Sequence, residues 1–288
     1  MRYDEVAAEI TRLCADSRLD FQAKGEQIEA GLDACSTSEI LEHLDHAGII
    51  PECFGHDSTE EKLFARYCDA LLARAWRELG LDAHTIQKRA DAADVVASCT
   101  GYKIVGDAKA FRLSRTAKNQ KDFKVEALDK WREGADFACL VSPFYQYPSR
   151  SSQIYAQAIR YNVALLSYAH LAFMVQHAAI DRPLSVELRA LWEVGKSLRE
   201  NRSASAYWSA VDGAMLQLTG RQKVEWEAHK SMALARLPEQ GAEQIAYWEG
   251  EKASLLQLSR DELVEALVEA LKIDEKIAVI QKTTSGPA

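Results

Sequence analysis

The 288-residue chain has no apolar run near the ~20 residues that a bilayer-spanning helix takes, which excludes a transmembrane helix. Its start, Met1-Arg2-Tyr3-Asp4-Glu5, turns acidic at once and lacks the apolar core of a secretory signal, so cytoplasmic residence is the default expectation. Its six cysteines (Cys14, Cys35, Cys53, Cys68, Cys99, Cys139) include no C-x-x-C, and the seven histidines are dispersed. That pattern reads as free thiols in a reducing compartment rather than a disulfide framework or a zinc site. His43 and His46 share a helix face, but no third ligand lies close in sequence. There is no internal repeat and no low-complexity linker. Positive charge is also short: the net charge is −8, which at face value argues against a nucleic-acid partner.

The average conceals a local reversal. Residues 103–124 hold seven cations (Lys103, Lys109, Arg112, Arg115, Lys118, Lys121, Lys124) against two anions (Asp107, Asp122). An acidic shell around one basic cleft limits nonspecific association and keeps counterion-releasing contacts where a polyanion would bind. The 48% apolar content suffices for a sizeable core, and the length suits one large domain or two small ones.

Taken in order, residues 1–50 read as a helical layer: Val6, Ile10 and Leu13, then Ile28 and Leu32, then Ile40, Leu41 and Leu44 recur at helical spacing. Ser36 or Ser38 caps the third helix, and Gly48 and Pro51 end it. Ser58 and Glu61 form a capping-box pattern heading a helix that runs to Gly80. Glu61 has two readings, capping partner or an extra carboxylate offered to a metal site. Residues 81–93 look polar and irregular. Two strands, 94–98 and 102–108, flank a turn at Thr100-Gly101, and a helix is expected over 119–134. Residues 136–141 and 162–166 read as buried strands, each followed by a helix. The order predicts an α/β fold, a mixed central sheet flanked by helices, with helical N- and C-terminal extensions. The expected division is 1–50, a core over 51–180 with a recognition segment at 110–124, and a helical region over 181–288 packed on the core. Trp192, Trp208, Trp226 and Trp248 read as core or interface anchors.

The chemistry concentrates between Asp94 and Lys124. Asp94 and Asp107 place two oxygen donors on adjacent strands, and the Ala108 carbonyl can face the same way, as a hard divalent cation such as Mg²⁺ requires. Lys109 lies two residues beyond Asp107, on the same strand face, where a cation can orient or deprotonate a water and offset charge developing on a phosphate. D-x-K alone occurs by chance in many proteins. The following segment adds weight: Arg112, Arg115, Lys118, Asn119, Gln120 and Lys121 are the residue types that read guanine and adenine edges, and Ser114 and Thr116 suit phosphate contacts. Asn119 and Asp122 also read as simple helix caps.

Residues 107–125, Asp-Ala-Lys-Ala-Phe-Arg-Leu-Ser-Arg-Thr-Ala-Lys-Asn-Gln-Lys-Asp-Phe-Lys-Val, closely resemble the corresponding run of the HindIII type of type II restriction endonucleases. The likeness includes Gly48-Ile49-Ile50-Pro51-Glu52, Ser58-Thr59-Glu60-Glu61-Lys62-Leu63-Phe64 and Pro143-Phe144-Tyr145-Gln146-Tyr147-Pro148, and spans roughly residues 40–175. It implies a PD-(D/E)XK nuclease fold and a Mg²⁺-dependent homodimer. The implied reaction is cleavage of both strands of double-stranded DNA at A-AGCTT, leaving 5′ overhangs. It matches Asp107 and Lys109 to the family's metal-binding acid and lysine, Asp94 to its upstream acid, and Asp122, a further catalytic candidate, to another aspartate in the motif region. Glu61 is a possible auxiliary acid. Arg112, Arg115, Lys118, Asn119, Gln120, Lys121 and Lys124 are the expected DNA-binding residues, and the resemblance puts Asn119 in the family's recognition segment. A cognate DNA methyltransferase is the implied functional partner. Ala93 departs from the proline of the general fold signature, Ala110 from a serine, and Gln87 from a glutamate near the site. Two other classes fit the same residues: a sequence-specific DNA-binding protein without cleavage, and a structure-specific repair nuclease.

Overall fold

The computed structural model describes residues 1–86, 92–115, 120–132, 134–178 and 184–284. They fall into two compact units, Met1–Pro238 and Glu239–Ala288.

The first unit opens with α1 (Val6–Ala15), α2 (Phe21–Asp33) and α3 (Thr37–His46). Asp20 caps α2 and Ser36 caps α3, the latter in a reciprocal box with Glu39. Gly48 then takes φ +86°, and an added Cβ there would stand 2.4 Å from Pro143. The long α4 (Thr59–Glu78) follows, its first turn capped by Ser58, which accepts the Glu61 N–H. The reciprocal half of the expected box is displaced by one residue: the Glu61 carboxylate accepts the N–H of Asp57 instead of Ser58.

The sheet has five strands among the described residues: β1 (Asp82–Thr85), β2 (Val95–Cys99), β3 (Tyr102–Ala108), β4 (Phe137–Ser142) and β5 (Val163–Ser167), in spatial order 1-2-3-4-5. β1–β3 pair antiparallel and β3–β5 parallel, so the sheet is mixed as expected. β4 and β5 are buried throughout, which explains their continuous apolar runs. β1 corrects the sequence reading, which made 81–93 irregular: Asp-Ala-His-Thr alternates exposed and buried positions on an edge, too short and polar to announce a strand.

The expected helix over 119–134 is instead two short ones, α5 (Gln120–Phe123) and α6 (Val125–Lys130), broken where Lys124 adopts φ +49°. After β4, α7 (Gln153–Tyr161) leads to β5, and α8 (Tyr168–His177) leaves it. α9 (Arg189–Trp192), α10 (Ala204–Thr219) and α11 (Lys223–Ala235) complete the unit. They share the core of the sheet: the Trp192 indole donates to Tyr102 on β3 at 3.0 Å, and the Tyr207 hydroxyl accepts the Leu165 N–H of β5 at 2.8 Å. Trp192, Trp208 and Trp226 are buried.

α12 (Leu237–Leu255) runs into the second unit, which continues with α13 (Arg260–Ala270) and α14 (Ile273–Thr284). Ser259 and Glu262 cap α13 reciprocally. Trp248 is half-exposed.

Candidate active site

α4 crosses β1, β2 and β3. Trp76 and Leu72 press so closely on β3 that a Cβ at Gly106 would meet them at 2.5 and 3.0 Å. This close approach brings the C-terminal end of β3 beside the middle of α4. A cleft of about 670 Å³ opens there. Phe21 and Gly25 of α2 form one wall, Lys62 and Arg66 of α4 another, and Asp94, Asp107 and Lys109 lie inside.

Asp107 is 1% exposed. Its Oδ2 lies 2.5 Å from Lys109 Nζ, the same-face pair that a two-residue strand spacing predicts. Burial works against the Lys109 charge, but Asp107, then Asp69 and Asp94, outweigh it and raise its pKa. Asp94 precedes β2, and its N–H donates to the Gly106 carbonyl. Burial, and then the Asp107 charge, push its carboxyl up to about 6, against the pull of Lys109, Arg66 and Lys124.

The Lys109 N–H donates to Val141 of β4 at 2.7 Å. A trans peptide sets its C=O opposite its N–H. The Ala108 carbonyl therefore faces away from β4, into the side where Asp94 and α4 lie. The Ala108 N–H turns the same way and donates to Asp69 Oδ1 at 3.1 Å. Carboxylate oxygens of Asp69, Asp94 and Asp107 lie within 4.8 Å of one another. With the Ala108 carbonyl they make an all-oxygen donor set suited to a hard divalent cation.

Asp69 was missed by sequence reasoning. Lys62, Ala65, Arg66 and Asp69 line the cleft at helical spacing along α4. An acid in the otherwise apolar stretch Tyr67-Cys68-Asp69-Ala70-Leu71-Leu72 was the available signal. Glu61, the α4 acid picked from sequence, sits two turns earlier, about 12 Å along the axis. It stands with exposed His56 and Asp57 and lies 3.5 Å from Arg112. Asp122 pairs with Arg115.

The basic segment divides in its uses. Arg112 donates to the carbonyls of Pro51, Glu52 and Gly55, so it fastens the segment to the loop before α4. Glu52 adds bonds to the Ser114 N–H and hydroxyl, and Phe111 bonds Gly48. Arg115, Lys121 and Lys124 are exposed. Lys124 Nζ stands 5.8 Å over the Trp131 ring. Gln87, Thr116, Lys118 and Asn119 lie outside the described residues, as does the side chain of Gln120.

Residues 4–284 match the family model of the HindIII restriction endonuclease. The type II restriction enzyme HindIII of Haemophilus influenzae is 34% identical over 255 residues, 86% of this chain and 85% of that protein. A highly reducing polyketide synthase, Preu1 of Preussia isomera, is 30% identical over 152 residues, but these make up 6% of that protein and 46% of this chain. The HindIII match takes in the acidic cleft, the D-x-K strand and the basic segment together. The chain belongs to the HindIII restriction endonuclease family, and it is a type II site-specific endonuclease.

Proposed function

We propose that the protein hydrolyses both strands of double-stranded DNA at the palindrome A-AGCTT, leaving 5′ overhangs, with Mg²⁺ as cofactor and a PD-(D/E)XK site. One observation supports this reading: carboxylate oxygens of Asp94 and Asp107 converge beside Lys109 in one cleft that Ala108 also lines. The donor set is hard oxygen throughout, the preference of Mg²⁺. Asp94, Asp107 and the Ala108 carbonyl are the groups that would hold it. When bound, the ion supplies Lewis-acid stabilisation of the phosphate and acidifies water.

The chain's own groups do the rest. Lys109, ion-paired with Asp107, presents its ammonium as a donor. It orients the attacking water and offsets charge growing on the phosphate oxygens. Asp107 holds the lysine in place. Asp122, paired with Arg115, steadies the start of the recognition segment and is a second-rank catalytic candidate; Glu61 has the same supporting rank through Arg112.

Residues 115–124 supply the DNA contacts, with Arg115, Lys121 and Lys124 on phosphate or base edges and Lys118, Asn119 and Gln120 in the base-reading role. Arg112 works as the strut beneath them. A palindromic target calls for two copies related by a two-fold axis. The unit Glu239–Ala288 exposes Trp248, Leu256, Val264, Leu267 and Ile280, apolar surface that supports homodimer formation. A methyltransferase modifying the same sequence is the functional partner, and the cytoplasm the location. No helix among the described residues is long and apolar enough to cross a membrane.

Plasmid digestion tests the reading. Linear products are expected with Mg²⁺, and none with EDTA or with Asp107→Ala. Uncut plasmid under all conditions, or cutting unaffected by Asp107→Ala, would overturn it.

A further inference from the structure

Asp69 occupies a position where a charge is costly. Its neighbours Tyr67, Cys68, Ala70, Leu71 and Leu72 are all buried, and Asp69 itself is 7% exposed. The hydrogen bond from Ala108 requires only an acceptor, and an asparagine oxygen would serve equally. A carboxylate oxygen of Asp69 lies within 4.8 Å of oxygens of Asp94 and Asp107, and the nearby Lys109 is engaged with Asp107. A carboxylate so placed disfavours the metal-free fold. Such a local cost points to a function that needs the charge.

The charges name the function. Asp69, Asp94 and Asp107 bring carboxylate oxygens within 4.8 Å of one another, while Lys109 is paired with Asp107 and Arg66 on the cleft wall is paired with Glu29, so the cluster keeps an excess of negative charge that a divalent cation offsets. We propose that Asp69 is a third carboxylate of the metal site. One oxygen fixes the Asp107–Ala108 peptide through the Ala108 N–H, and the other joins Asp94, Asp107 and the Ala108 carbonyl in the oxygen set. The acid contributed by α4 is thus Asp69, in the middle of the helix, and not Glu61 at its start. This inference rests on the metal-dependent nuclease reading of the site.

The test measures Mn²⁺ binding to the full-length, DNA-free protein by electron paramagnetic resonance, alongside thermal unfolding with and without Mn²⁺. Asp69→Asn keeps the shape and the acceptor but removes the charge. It is expected to weaken Mn²⁺ binding by about 10–100-fold. It should also raise the metal-free Tm by a few degrees and shrink the Tm rise that Mn²⁺ produces. Asp69→Ser should weaken binding equally, which keeps the test open if the asparagine variant folds poorly. A purely packing role predicts wild-type Mn²⁺ affinity in both variants, and that result would overturn the proposal. Asp107→Asn separates the two levels. Binding lost in Asp107→Asn but intact in Asp69→Asn sinks the Asp69 assignment alone. No Mn²⁺ binding by the wild type, or binding indifferent to Asp107→Asn, sinks the site reading together with it.

Discussion

Replacing Asp107 by Asn would leave the shape of β3 intact while removing the charge that holds Lys109 and offers a metal ligand. Cleavage is expected to fall by at least about 100-fold with an unchanged far-ultraviolet circular dichroism spectrum. Lys109→Ala should cost about 10²–10⁴-fold in cleavage rate, measured in single turnover. Asp94 sets the pH response. Its carboxyl is lifted to about 6 by burial and then by Asp107, and a ligating carboxylate must be deprotonated. Cleavage at subsaturating Mg²⁺ should therefore decline as pH drops through about 6, and a rate that stays flat down to pH 5 under that condition would contradict this. Stability of the metal-free protein moves the other way. The Asp94 contribution is fully present below its unfolded value of 3.8 and is lost as pH rises through about 6. At this scale the sequence disclosed what depends on short spacing. Asp107 and Lys109 were legible because a strand puts residues two apart on one face. Asp69 was not, because its partners lie 25 and 38 positions away and only the packing of α4 on the sheet unites them. Arg112 looked like a DNA reader because a sequence does not distinguish a guanidinium facing solvent from one holding three carbonyls.

Among the elements, the contact of α4 with β3 determines the geometry of the cleft. Gly106 is the point of closest approach, since a Cβ would press on Trp76 and Leu72. Gly106→Ala is expected to destabilise the protein by about 1–3 kcal/mol through overpacking. It should also displace the neighbouring Asp107, so cleavage should suffer beyond the stability loss. Equilibrium urea unfolding and cleavage rates at a temperature where the variant is fully folded check both parts; an unchanged midpoint would show that α4 yields freely. The β2–β3 hairpin and the buried strands β4 and β5 were legible from apolar content and turn residues. β1 escaped because an edge strand of four residues needs few apolar side chains. The break between α5 and α6 escaped because Lys124 in a left-handed conformation has no signature in composition.

Across the whole molecule, a net charge of −8 coexists with a basic stretch at residues 103–124. Binding to DNA should weaken steeply with salt, with log Kd linear in log salt concentration. The apolar surface of Glu239–Ala288 predicts a particle near twice the 32.1 kDa chain mass in light scattering. Charge reversals of Val264 and Leu267 together should shift it toward the monomer; a wild-type particle that is monomeric at micromolar concentration would refute the two-copy reading. The central claim, a metal-dependent site-specific nuclease built on Asp94, Asp107 and Lys109, meets its most direct test in the ends of the DNA it cuts. Genomic DNA digested with the wild-type protein and Mg²⁺, then sequenced at its termini, should yield 5′ overhangs within AAGCTT at nearly every end and none with Asp107→Asn. Ends scattered without a shared sequence, or the same ends produced by Asp107→Asn, would contradict it.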